Sequence, residues 1–276
     1  MTPLGTATHR LELVAETDAH EGPVYAADED ALYFTTVRRE AVAIKRLALV
    51  DGSISIIRAD ANMANGMTLD REGRLVVCEQ GTLDAPARIT RLDRTTGQVE
   101  TLVEANLNSP NDVVVKRDGM IWFTDPSYGY LQGFRPEPKA GDYVYRYDPE
   151  SGDLSVVADG FDKPNGIAFS PDERVLYVAD NGAPHELLAF DVEGRCDLTN
   201  RRRLAVSTPE HPDGLKTDSE GRIYASYSGG VQVLAAGGDL IGEVELPGAV
   251  NFTFGGPERD VLYITADTAI WAAVLN

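Results

Sequence analysis

Cysteine is nearly absent from this chain. Its 276 residues hold two, Cys78 and Cys196, with no Cys-x-x-Cys spacing. That excludes a disulfide framework and a thiolate zinc site, and reads as two reduced thiols. Basic residues are scarce as well: 25 Lys and Arg face 44 Asp and Glu, a formal net charge of −19. A surface of that sign repels phosphate backbones, so nucleic acid is not an expected partner. No apolar run approaches the ~18 residues of a membrane span, so no membrane partner is expected either. The opening MTPLGTATHRLELVAE lacks a basic start followed by an apolar stretch, which argues against a signal peptide and makes the cytoplasm the expected compartment. The chain has no Gly-x-Ser-x-Gly elbow, no HExxH, no P-loop and no GxGxxG. Serine-elbow, zincin, nucleotide and dinucleotide chemistries are thereby set aside.

What the chain does have is a repeat. One unit reads as a polar residue, a small residue, a short apolar run, an Asp/Gly turn and a run rich in aromatic and β-branched residues. It appears as EGPVYAADEDALYFTT from Glu21, NGMTLDREGRLVVCE from Asn65 and NDVVVKRDGMIWFTD from Asn111. It continues as NGIAFSPDERVLYVAD from Asn165, DGLKTDSEGRIYASY from Asp213 and NFTFGGPERDVLYITAD from Asn251. The spacings are 44, 46, 54, 48 and 38 residues. A second half-unit, such as RITRLDRTTGQVETLVEA or YVYRYDPESGDLSVVADG, adds two alternating strands around a Gly turn. Segment 39–49 has helical propensity, but its place in the repeat assigns it to strand.

Six units of four antiparallel strands predict an all-β fold, a six-bladed β-propeller occupying 1–276 as one domain. Two stacked sandwiches are the rival architecture. After Asn251 there is room for only three strands, and the N-terminal LELVAETDAHEGP matches LSVVADGFDKPNG, a fourth strand leading into a new unit. Residues 10–15 are therefore expected to complete the last blade and clasp the ring.

In a propeller the first strand of each blade lines the central channel. The residues that open the units, Glu21, Asn65, Asn111, Asn165, Asp213 and Asn251, are then expected at one mouth of it. Asn and Asp are depleted from strands, so six such residues together call for a reason. Asn-Gly and Asp-Gly can be turn residues capping their own backbone, which suits Asn65 and Asn165 but not Glu21. The functional alternative is a hard-cation site built from two carboxylates and several carboxamides. Without His or Cys donors, it favours Ca²⁺, Mg²⁺ or Mn²⁺ over Zn²⁺.

HEGPVY, NSPNDVVV, KPNGIAFSPDERVLYVAD and HPDGLKTDSEGRIY resemble the signature segments of the regucalcin/gluconolactonase family, over most of the chain from about residue 12. The resemblance implies a six-bladed propeller with one divalent metal on its axis, Ca²⁺ ahead of Mg²⁺, Mn²⁺ or Zn²⁺, and hydrolysis of a small-molecule lactone or ester. It implies metal ligation by Glu21, Asn165 and Asp213, with Asn111 as a further ligand or substrate contact and Asp213 as the acid/base. The chain departs from the family pattern at Ser109, where sugar-lactone hydrolases resembling regucalcin carry Arg. It departs again at Val77-Cys78-Glu79-Gln80, where many bacterial relatives carry His after the Glu. The 54-residue spacing marks an enlarged loop over 125–142, and long loops on a rigid scaffold commonly shape a pocket. This places Tyr128 near the site as a substrate contact. His185, in ADNGAPHELL, is expected at the pocket mouth as a substrate contact, and His20 and His211 are candidates for a supporting role. The alternatives are a phosphotriesterase-like hydrolase on the same metal and a non-catalytic calcium- or ligand-binding propeller. A monomer or weak homo-oligomer is expected.

Overall fold

The computed structural model describes residues 10–38, 41–183, 185–204 and 211–275. They form six four-stranded antiparallel sheets, each paired in chain order except the last. The innermost strands are Val24–Ala26, Ala64–Leu69, Val113–Val115, Pro164–Phe169, Leu215–Thr217 and Asn251–Gly255. They surround a common axis, and we number the blades one to six in that order. In the stretch 39–49 the described residues carry a strand, Ile44–Ala48.

Burial explains the local patterns. The second strands, such as Ala31–Thr35, Leu75–Glu79 and Ile121–Asp125, are buried at every position. Neighbouring blades cover both of their faces, so they read as continuous apolar runs rather than alternating ones. The outer strands Ile54–Arg58 and Val99–Val103 are largely exposed. Asp residues make the tight connections between first and second strands. Asp70 Oδ1 accepts from Glu72 N at 3.0 Å and Arg74 N at 2.8 Å, and Asp218 Oδ1 repeats the device with Glu220 N and Arg222 N at 3.0 Å. These Asx turns satisfy the backbone where the chain reverses.

The ring closes as the N-terminal match implied. Strand Leu11–Glu16 lies antiparallel to Ala269–Val274, with Leu11 opposite Ala273, Leu13 opposite Trp271 and Glu16 opposite Ala269, and an irregularity at Val14. Thr17 N extends the ladder to Thr268 O at 3.0 Å. Val14 and Ala15 pack with Leu32, Phe34, Leu47 and Ile270, so the clasp joins the cores of the last and first blades.

A chain lacking residues 1–16 loses that ladder and opens the ring between its ends. Its melting temperature should fall by roughly 10 °C, since each kcal/mol shifts a domain of this size by about 2–4 °C. An unchanged thermal midpoint would show that the clasp contributes nothing to closure.

Candidate active site on the propeller axis

The site begins with a backbone constraint repeated at all six blade junctions. Around the axis, the carbonyl of each opening residue, or of the residue just before it, accepts a hydrogen bond from the preceding blade. Thr35 Oγ1 donates to Asn65 O at 3.2 Å, Thr124 Oγ1 to Asn165 O at 2.8 Å, Ser226 Oγ to Val250 O at 2.7 Å and Thr265 Oγ1 to His20 O at 2.6 Å. The second strands of blades two and four carry Cys78 and Ala179 at the corresponding position, with no hydroxyl to donate. There a glycine N–H makes the junction instead: Gly66 N donates to Asn111 O at 2.7 Å and Gly166 N to Asp213 O at 3.0 Å.

This contact explains the Asn-Gly doublets. Asn65 and Asn165 lie inside strands Ala64–Leu69 and Pro164–Phe169, so the glycine after each is not there for a turn. A Cβ on Gly66 would stand 2.4 Å from Asn111 O, and one on Gly166 would stand 2.2 Å from Asp213 O. Glycine is required because the next blade's opening residue packs directly against it.

Above this ring lies a cavity of about 280 Å³. Its wall includes Glu21, Asn65, Asn111, Asn165 and Asp213, together with Tyr128, Asn181, Gln80, His20 and Arg38. Asn251, the sixth opening residue, lies behind Glu21 and donates from Nδ2 to its Oε2 at 2.7 Å. Gly22 N reaches the same oxygen at 3.3 Å. Burial pushes the Glu21 carboxyl above its ordinary value, against the opposing effects of His20 and the Asn251 amide. The Asp213 carboxyl is pushed well above its ordinary value by burial, with the charges of Glu21 and Asp112 adding to the effect. Its Oδ1 is enclosed and accepts no hydrogen bond, and the same holds for Asn65 Oδ1. Buried oxygens left without donors carry a full desolvation cost.

Such a cluster favours positive charge. Among the described residues no three His, Cys, Asp or Glu side chains converge as a metal-ligating set. The axis instead combines two carboxylates with carboxamides, which is the donor chemistry of a hard dication. Asp112, one residue past Asn111, is a buried carboxyl near the axis, adding to the charge felt by Asp213, that sequence reasoning missed. Fully buried, it has its carboxyl raised by burial and partly offset by Lys216, whose Nζ stands 3.8 Å from its Oδ2. Asn181, Gln80 and Arg38 were likewise not anticipated. Asn181 lay within the quoted ADNG segment, and its position after the second strand was the signal that could have found it.

The enlarged loop is braced rather than loose. It carries one helical turn, Tyr128–Leu131. Ser109, at the position of the family's Arg, is fully buried. Its hydroxyl donates to Pro126 O at 2.6 Å and accepts from Gly129 N at 2.9 Å. Arg135 ties the loop's far side to four carbonyls, those of Asn108, Thr82, Ala85 and Leu107, at 2.9 to 3.2 Å. The Tyr128 ring is thereby held in the wall, with its hydroxyl 3.4 Å from Asn165 Nδ2. Burial and the charge of Asp213 push its phenol upward, so it stays protonated. His185 does not line the cavity. It packs against His211, the two rings tilted with centroids 3.8 Å apart, and His211 Nδ1 meets Asn181 O at 2.8 Å. His185 thus stands behind Asn181, while His20 lies in the wall and pairs with Asp267 at 2.6 Å.

Comparison with known proteins agrees with this geometry. Residues 19–268 match the model of the family described as SMP-30/Gluconolactonase/LRE-like region. A gluconolactonase from Zymomonas mobilis is 29% identical over 84% of this chain and 71% of its own length. The lactonohydrolase oryL of Aspergillus oryzae is 29% identical over 90% of this chain, which spans 66% of that relative. The solved structure of XC5397, a gluconolactonase from Xanthomonas campestris, superposes with a TM-score of 0.86 at 35% identity, covering 98% of this chain and 91% of the other.

The junction contacts carry a test. Gly166→Ala forces the new methyl against Asp213 O and should cost about 1–3 kcal/mol by overpacking. Gly237→Ala, where an added Cβ meets nothing within 4 Å, should leave stability essentially unchanged. Chemical denaturation of both variants reads the difference.

Proposed function

The chain belongs to the SMP-30/gluconolactonase/LRE-like family, and from that premise we propose that it is a divalent-metal-dependent hydrolase opening a lactone in the axial cavity. The observation that carries the reading is the buried pair Glu21 and Asp213 among carboxamides, with Asp213 Oδ1 enclosed and unpartnered. Glu21, Asn165 and Asp213 would hold the cation, with Asn111 as a further donor. Two negative ligands roughly neutralise a dication, which makes burying both tolerable. Ca²⁺ suits the all-oxygen donor set best, ahead of Mg²⁺, Mn²⁺ or Zn²⁺. When bound, such an ion supplies Lewis-acid polarisation of the lactone carbonyl.

The protein's own groups do the rest. Asp213 takes a proton from the attacking water as its oxygen bonds the acyl carbon. The ring C–O bond then breaks, and the same carboxyl returns the proton to the departing ring oxygen. Asn111 orients the substrate by hydrogen bonding. The protonated Tyr128 offers a second donor, fixed by the braced loop. His185 lies against His211, whose ring meets Asn181 of the wall, and would act only through that pair. Positioning of this kind supplies a large share of a hydrolytic rate enhancement.

A pH-indicator assay across lactones, simple esters and phosphotriesters, with EDTA and with each metal restored, tests the reading. EDTA should abolish turnover of the best lactone and re-addition should recover it. A preference for phosphotriesters, or turnover with none of the metals, would give precedence to the phosphotriesterase or binding-propeller alternative respectively.

Glu21→Gln removes one of the two balancing charges, so calorimetry should find metal affinity reduced more than about tenfold. Asp213→Asn keeps an oxygen donor but not the base. Its kcat should fall about 10²–10⁴-fold even at saturating metal. Asn165→Ala should lose activity mainly through metal loss and regain part of it at high metal concentration. Wild-type turnover in Asp213→Asn would remove the base assignment.

A further inference from the structure

The cavity's charge changes sign from floor to rim. Glu21 and Asp213 lie at the axis, and neutral amides of Asn65, Asn111, Asn165, Asn181 and Gln80 form much of the wall. Among the described residues Arg38 is the one arginine or lysine lining the cavity. It lies between the second and third strands of blade one and is exposed. Its guanidinium carbon stands 4.6 Å from the centre of the Phe134 ring. Phe134 belongs to the braced loop and is itself buried, with its N–H on Gly129 O at 2.9 Å.

Two features combine at Arg38 in the cavity wall. Most arginines here are neutralised by acids: Arg46 by Glu29, Arg58 and Arg88 by Glu79, Arg74 by Asp70, Arg94 by Asp28 and Glu29, Arg222 by Asp218. Among the described residues Arg38 has no carboxylate partner and rests on the aromatic face of Phe134. A guanidinium resting on a ring keeps its donor edges free while losing part of its conformational freedom in advance. In a chain of net charge −19, an unpaired cation at the mouth of a cavity is also the one local feature that attracts an anion against the general field.

We infer that Arg38 is a specificity residue that selects lactones bearing an anionic substituent, a carboxylate or similar oxyanion remote from the ring carbonyl. The inference rests on the lactone-hydrolase reading of the same cavity. With the carbonyl at the axial oxygens, the far end of a small-ring substrate reaches the rim, where a planar guanidinium grips an oxyanion bidentately. The cavity's modest volume favours a single ring with a short polar arm over a bulky apolar ester.

The test compares two probes differing only at that arm, glucono-1,4-lactone and glucaro-1,4-lactone, with the wild-type chain, Arg38→Gln and Arg38→Lys at saturating metal. Wild type should prefer the acid lactone. Arg38→Gln should lower kcat/KM for it about ten- to a hundredfold, the usual range for losing a charge-assisted hydrogen bond, mostly through KM. The uncharged lactone should change by less than about threefold. Arg38→Lys should recover part of the loss, and added salt should narrow the wild-type preference. Equal effects of Arg38→Gln on both probes, or no wild-type preference, would overturn the inference. If wild type opens neither ring, the function reading fails. The same comparison is then made on binding of the intact lactones, where charge discrimination lost in Arg38→Gln supports the role of Arg38 and equal binding overturns it.

Discussion

Everything at the axis depends on how the opening residues are held. Their side chains are polar, crowded and partly without partners, an arrangement that would not persist if the backbone beneath could yield. Six junction hydrogen bonds, four from hydroxyls and two from glycine N–H groups, anchor that backbone to the neighbouring blade. Together they keep donor oxygens from different blades pointing at one volume, whether or not a cation is present. Preorganisation of that kind is what lets a site bind charge without reorganising to do so. The sixth junction, Thr265 to His20, is also the place where the chain's two ends meet. There Asn251 of the last blade hydrogen-bonds Glu21 of the first, so ring closure and the placement of the Glu21 carboxyl are one structural event.

The enlarged loop of blade three shows the same economy. A stretch of this length is normally mobile, yet one buried serine and one arginine on four carbonyls fix it at both sides. Lys163 adds an ion pair to Asp142 at 2.9 Å. Ser109 is informative here. At a position where the family resemblance implied an arginine, this chain has a buried serine that serves as a structural brace. A cation appears instead at Arg38, which rests on an aromatic ring of the loop that the brace secures.

Much of this was legible before any coordinates. The repeat was readable because each unit begins with an Asn, Asp or Glu and ends in a buried second strand, and the clasp because LELVAE echoes a fourth strand. The convergence of Glu21, Asn111, Asn165 and Asp213 on one cavity followed from the architecture, and Tyr128 from the length of its loop. Other features were not readable, for physical reasons. Asn-Gly looks like a turn in one dimension; that Gly66 and Gly166 are demanded by a neighbouring blade's carbonyl is visible only in three. Asp112 was hidden beside Asn111 because strand alternation alone does not reveal which of two adjacent polar residues faces the axis. His185 was expected at the mouth from its loop, but its ring turns onto His211, and Asn181 takes the wall. Arg38 carries no motif at all, since its meaning lies in lacking the acid partner that most other arginines here possess.

The charge arrangement ties these observations to chemistry. A surface of net charge −19 deters anions and gathers cations, which favours loading a dication at the axis and disfavours acidic small molecules at random sites. An anionic substrate can therefore gain a foothold only where a positive group is both unpaired and positioned, and on the proposed reading the axial cavity would offer two such places: the floor, were Glu21 and Asp213 to hold a cation, and the guanidinium of Arg38. A molecule with an electron-rich carbonyl at one end and an oxyanion at the other fits that pair in one orientation. Reversed, its carboxylate would occupy the cation and its lactone would lie against the arginine, away from Asp213. Charge order along the axis thus does more than attract the substrate. On the proposed reading it would also decide which carbonyl faces Asp213.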